Sequence, residues 1–108
     1  MPSATYLLIR AAMVARKQVT CIYRGYAREL CPVVLGHTGK DEKALTFQVG
    51  GGSRSGLPPG GEWRCLFIAE VRDARMREGL WREGTRHTAS QRCVAAVDLD
   101  INVEAPAR

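Results

Sequence analysis

Hydrophobic and polar positions change their period once along the chain, and the change divides it. From Ser3 to Lys17 apolar residues recur at helical spacing, with Tyr6, Ile9 and Met13 on one face and Ala12 beside them. Ala, Leu and Met favour helix, Ser3 is a suitable N-cap, and neither Gly nor Pro interrupts before Gly25. Arg16 and Lys17 fall in the last turn, where positive charge suits the helix dipole. This pattern predicts a helix over residues 3–17.

From Val19 the period drops to two. Val19, Cys21 and Tyr23 alternate with Thr20, Ile22 and Arg24, which predicts a strand. Gly25-Tyr26 is placed to turn it into a second strand over residues 28–35. Pro32 cannot donate to a ladder, so it marks an edge or a bulge there. A third strand, residues 44–49, sets Leu45, Phe47 and Val49 against a polar face of Thr46 and Gln48. A fourth covers residues 63–68. Residues 69–78 fit a helical turn or a twisted strand, and Gly79 and Gly84 around Leu80-Trp81 favour a hairpin. In the last strand Val97, Leu99, Ile101 and Val103 alternate with Asp98, Asp100, Asn102 and Glu104, which predicts one buried and one wet face. Residues 50–61 hold six glycines and two prolines, and a loop this long in a small domain is more often functional than neutral.

One helix and about five short strands joined by Gly-rich turns describe a single mainly β domain over residues 1–108, with a small, strongly bent sheet or barrel over 18–104 and a short tail. The apolar run at the N-terminus is split by Arg10 and too short to span a bilayer, so a cytoplasmic protein with no membrane partner is expected. Cys21, Cys31, Cys65 and Cys93 are widely spaced, form no C-x-x-C pair and sit in strand-like sequence. The expectation is four reduced core thiols, with no metal and no cofactor.

Net charge is +5, and among the sixteen basic residues only Lys17, Lys40 and Lys43 are lysines. An arginine excess favours anions with forked acceptors, phosphate or carboxylate, although an arginine-rich proteome would give the same count. Catalytic patterns are missing: the glycine-rich loop lacks a P-loop ending, and no G-x-S-x-G elbow occurs. A Cys31–His37 nucleophile pair fits a core thiol better, and Asp98 with Asp100 fits a solvated face as well as a cation site. What remains is a set of cationic, polar and aromatic residues: Tyr23, Arg24, Tyr26, Arg28, Gln48, Ser53, Arg54, Ser55, Trp63 and Arg64. Guanidinium groups supply forked donors for phosphate, and aromatic faces stack on bases. The same residues also fit a plainer account, core aromatics beside solvated arginines.

Residues 19–36, from Val19-Thr20-Cys21-Ile22-Tyr23-Arg24 through Arg28 and Pro32 to Leu35-Gly36, resemble the opening of a WYL domain. Lys43-Ala44-Leu45 stands where that family has its naming tripeptide, of which only Leu45 is kept, and Trp63 to Ile68 is similar to a later strand. The resemblance covers roughly residues 5–75. It implies an SH3-like or Sm-like barrel of the kind found in bacterial regulators, sensing nucleotide or nucleic-acid ligands, with Tyr23, Arg28, Gln48 and Arg64 in the pocket. One helix is too few for a DNA reader, so a stand-alone, non-enzymatic sensor is expected. The ligand set is Tyr23, Arg24, Arg28, Gln48, Arg54, Trp63 and Arg64, and the partner is a nucleotide or single-stranded nucleic acid. The competing expectation is a protein-interaction module that forms a homodimer or docks a regulatory protein.

Overall fold

The helix begins where Ser3 can satisfy it. Ser3 Oγ accepts the Tyr6 N–H at 3.1 Å, and α1 runs Ala4–Ala15. Arg16 ends it in the left-handed region (φ 56°), where the Arg16 and Lys17 amides bond back to the Met13 and Ala12 carbonyls. The two basic residues therefore cap the helix from outside. Tyr6, Ile9, Ala12 and Met13 are the buried face, as their spacing predicts.

The computed structural model describes residues 2–54, 56–79, 81 and 91–101. After α1 come β1 (Gln18–Tyr23), β2 (Tyr26–Thr38), β3 (Asp41–Gly51), β4 (Glu62–Phe67), a 3-10 turn (Ile68–Glu70), β5 (Val71–Arg77) and β6 (Ala96–Asp100). The sheet is antiparallel in the order β4-β3-β2-β1-β5, with β6 pairing β2. Among the described residues the chain is thus mainly β, a bent six-stranded sheet behind one N-terminal helix, as the sequence pattern predicts. Among the described residues no helix is long and apolar enough to cross a membrane.

Turn chemistry fixes the first hairpin. Arg24 and Gly25 both have positive φ, 52° and 85°, as a two-residue type I′ loop requires. The turn therefore lies one residue earlier than the sequence pattern suggests, and Tyr23 pairs directly with Tyr26. Pro32 is a bulge, not an edge. The β2–β3 register shifts between Pro32 and Val34, and beyond it β2 exchanges β1 for β6 on its other side. Val33, Val34 and Leu35 are wholly buried at this crossover.

The core has two parts. One joins the helix face to Val33, Val34, Leu35, Leu45, Val94 and Ile101. The other lies within the bend, where Cys21, Tyr23, Leu30, Leu66 and Val71 meet. Tyr23 spans the bend, its hydroxyl accepting the Phe67 N–H at 3.0 Å.

The polar face of β3, Thr46 and Gln48, is buried, because the bent sheet encloses that side while Leu45 and Phe47 are covered on the other. Two expectations are corrected. The last strand does not alternate cleanly, because a register shift between Leu35 and Gly36 leaves Val97 49% exposed while Ile101 is buried. The four cysteines are not all reduced. Cys21 and Cys31 are buried and in no disulfide, but Cys65 and Cys93 form one that ties β4 to the segment preceding β6. Closing a loop of sequence separation 28 is worth about 3–4 kcal/mol in the chain-entropy account. The supposed hairpin around Leu80 and Gly84, and Asn102 to Glu104, lie outside the described residues.

Gly25→Ala places a Cβ at φ 85° and is expected to cost about 1 kcal/mol. Urea denaturation checks this, and an unchanged midpoint would rule out the type I′ assignment.

Candidate functional site

The β1–β2 register sets the site. With Tyr23 opposite Tyr26 and Cys21 opposite Arg28, these residues share the face turned into the bend. On the far side β3 brings Gln48, and Thr46 pairs with Arg64 of β4. Between them opens a cleft of about 590 Å³. Tyr23, Arg24, Tyr26 and Arg28 form one wall; Trp63, Arg64, Cys65 and Leu66 form the other. Ser53 and Arg54 of the glycine-rich loop line its mouth. Six of the seven residues expected from the sequence thus line one cavity, and the seventh, Gln48, lies beneath it.

Gln48 is fully buried and uses its whole hydrogen-bonding capacity. Its Nε2 donates to the carbonyls of Gly50 (2.9 Å) and Gly52 (3.0 Å). Its Oε1 accepts from Arg64 Nε at 3.2 Å and from Arg28 Nη1 at 3.4 Å. The amide has one consistent orientation, since carbonyls only accept and guanidiniums only donate. Two cations therefore converge on one neutral oxygen. The glycine run reaches Gln48 because Gly51 (φ 87°) turns back against β2, where a side chain would strike the Ala27 carbonyl and Gly52 N–H bonds that same oxygen at 2.9 Å.

Arg28 is only 6% exposed. It donates to the Tyr23 carbonyl at 3.3 Å, and its guanidinium carbon lies 5.1 Å from the Tyr23 ring centre and 5.8 Å from that of Tyr26. Among the described residues it has no carboxylate within ion-pair distance. Burial, and then the neighbouring Arg64 charge, pull its pKa down from the usual arginine range. An arginine starts so high that the group stays cationic at neutral pH. Arg64 also donates to Ser53 Oγ (3.0 Å) and the Gly56 carbonyl (3.1 Å), fixing the loop, with Glu62 at 3.7 Å. Arg24 is engaged by Glu70 at 2.7 Å, an exposed pair that lowers the Glu70 pKa and contributes little to stability. Arg54 is exposed. Trp63 packs edge-on to Phe47, with ring centres 5.3 Å apart.

Four lining residues lie outside the expected ligand set: Tyr26 and Ser53, which the sequence singled out but the set omits, and Cys65 and Leu66, which read only as strand residues. Ser55 and His87 lie outside the described residues. The residues of the other candidate chemistries make different contacts. Cys31 is wholly buried, His37 stacks on Tyr6 at 5.4 Å, and Asp98 accepts the Tyr6 hydroxyl at 2.7 Å with Arg10 at 3.7 Å. Among the described residues no group of three or more His, Cys, Asp or Glu is placed to hold a metal ion. Comparison with known proteins finds no matching family model, no matching curated protein and no matching solved structure.

Gln48→Leu removes the shared acceptor and leaves two guanidiniums and two glycine carbonyls short of partners. The expected loss is about 3 kcal/mol, read from chemical denaturation, with faster amide exchange across residues 50–54. A variant within 0.5 kcal/mol of the parent, roughly the error of such comparisons, would show that the amide does not organise the cleft.

Proposed function

We propose that this chain is a non-enzymatic, WYL-like sensor module that binds an anionic ligand, a nucleotide or a short single-stranded nucleic acid, in the arginine cleft. The observation that carries this reading is the convergence of Arg28 and Arg64 on the neutral Gln48 oxygen, with no carboxylate on Arg28 among the described residues. Burying a cation without a counter-charge is costly, and an anion that completes the pair recovers that cost. Forked guanidinium donors suit a phosphate, and Tyr26 and Trp63, which line opposite walls, are aromatics of the kind that stack on a base. The WYL resemblance points to the same residues, Tyr23, Arg28, Gln48 and Arg64, but the ligand reading stands on the cleft chemistry without it.

Cytoplasmic placement belongs to this reading as well. The Cys65–Cys93 bond weighs against that placement, because a reducing compartment opens most structural disulfides.

The test is a titration of labelled single-stranded DNA and RNA and of mono- and cyclic nucleotides at two salt concentrations. Saturable binding that weakens with salt is expected. Arg54→Ala, at an exposed position, weakens affinity by about five- to tenfold without unfolding the chain. Arg28→Lys keeps the charge but loses the fork, and weakens binding more. Absence of saturable binding across the panel, or binding indifferent to both variants, contradicts the proposal.

A further inference from the structure

The sheet aligns three arginines along β5 that strict alternation would separate. On a regular strand Arg75 and Arg77 share a face, and Arg72 falls on the other. In β5, however, Arg72 pairs with Ile22 and Arg75 with Thr20, so a step of three on β5 matches a step of two on β1. The extra residue makes a β-bulge, with Asp73 in the left-handed region at φ 54°. Its effect is to turn Arg72 to the side of Arg75 and Arg77. That side is the face of Ile22, Thr20 and Gln18, which looks away from Cys21 and Tyr23 in the core. Contacts agree with the register: Arg75 lines a shallow groove with Thr20, Ile22 and Glu29, and Arg77 Nε donates to Gln18 Oε1 at 3.1 Å. All three arginines are exposed. Arg77 has Glu29 at 3.1 Å, whereas Arg72 and Arg75 have no carboxylate within ion-pair distance among the described residues.

β5 also ends the path β4-β3-β2-β1-β5, so among the described residues no strand pairs with its outer edge. Such an edge offers a row of N–H and C=O groups to one more strand. The charges decide which strand. Two copies pairing through β5 in antiparallel fashion would set arginine against arginine, and like charges directly opposite are destabilising. An acidic strand meets opposite charge at the same places. A nucleic acid would answer the charge but leave the backbone edge unpaired.

We propose that the free edge of β5 is a docking site for an acidic peptide segment. The segment adds as a further strand, with Asp or Glu at alternate positions facing Arg72, Arg75 and Arg77. Alternate residues of an extended segment repeat every about 6.6 Å, and against β1 the three arginines already occupy alternate pairing positions. The intervening residues of the segment fall on the side of Met76, which is 43% exposed and accepts apolar side chains. Backbone hydrogen bonds then supply affinity, and the alternating side chains supply specificity. None of these β5 residues lines the arginine cleft, so the docking edge stands or falls apart from the sensor reading.

The experiment uses the full chain and short fluorescent peptides, read by anisotropy at low ionic strength. One peptide alternates Glu with Val and Thr, and a second has the same composition with its glutamates contiguous. Two further versions of the first are N-methylated at one or the other alternate set of amides. The alternating peptide is expected to bind at least about fivefold more tightly than its contiguous isomer, and Arg75→Glu to weaken it about tenfold. One N-methylated version loses binding and the other keeps it, since an added strand turns only every second amide to its neighbour. Hydrogen exchange slows at β5 amides when the peptide binds. Equal affinity of the two isomers, or binding by both N-methylated versions, would reduce the contact to unspecific charge and overturn the proposal. So would outward-facing β5 amides already protected in the free chain, a dimer formed through β5, or single-stranded DNA that protects β5 in the peptide's place.

Discussion

A single buried amide holds the cleft together. Gln48 is the point at which β1–β2, β4 and the glycine-rich loop are tied, with two loop carbonyls on its nitrogen and two guanidiniums on its oxygen. Nothing apolar could replace it, because the fold has already brought two cations and two carbonyls to the same dry spot. Nor would a carboxylate be equivalent. It would neutralise the guanidiniums but lose the donors that the Gly50 and Gly52 carbonyls require. A neutral amide positions both arginines without adding a charge of its own: Arg64 has Glu62 at 3.7 Å, and Arg28 has no carboxylate within ion-pair distance among the described residues.

That residual charge links the packing to the proposed function. Arg28 is buried beside Arg64, and its lowered pKa has burial first and the like charge second among its causes. Aromatic faces of Tyr23 and Tyr26 soften the cost without cancelling it. A singly charged oxyanion about 4 Å from one guanidinium gains roughly 4 kcal/mol at an effective dielectric of 20, so even one phosphate group would matter. The remaining stability comes from elsewhere: the two apolar clusters, the helix face against β2, and the cystine. In this division the core stabilises the domain, and the cleft keeps an electrostatic deficit that the proposed anion would fill.

Much of the architecture was legible in the sequence, because it depends on local period. The helix face of Tyr6, Ile9, Ala12 and Met13 and the alternation of Val19, Cys21 and Tyr23 are each visible in a window of a few residues. Alternation does not say which face is wet, however. Alternation puts Thr46 and Gln48 on the polar face of β3, and only the bend of the sheet encloses that face. The same limit hid the disulfide. Cys65 and Cys93 meet only once β4 has paired with β3, and the segment before β6 has crossed over, and no local pattern encodes that path. The clustering of Tyr23, Arg24, Arg28, Arg54, Trp63 and Arg64 was anticipated from residue type, but the reason for it, one amide between two guanidiniums, is a tertiary fact.

The central claim is that the Gln48-bridged arginine pair is an anion site, and the most direct measurement watches those two guanidiniums. Inorganic phosphate would be titrated into the ¹⁵N-labelled protein at low ionic strength, following the arginine Nε–H resonances by NMR. The account predicts saturable shifts at Arg28 and Arg64 with one shared dissociation constant, weakened by added chloride salt. Shifts confined to exposed arginines such as Arg72 and Arg75, with Arg28 and Arg64 unmoved at saturating phosphate, would contradict it.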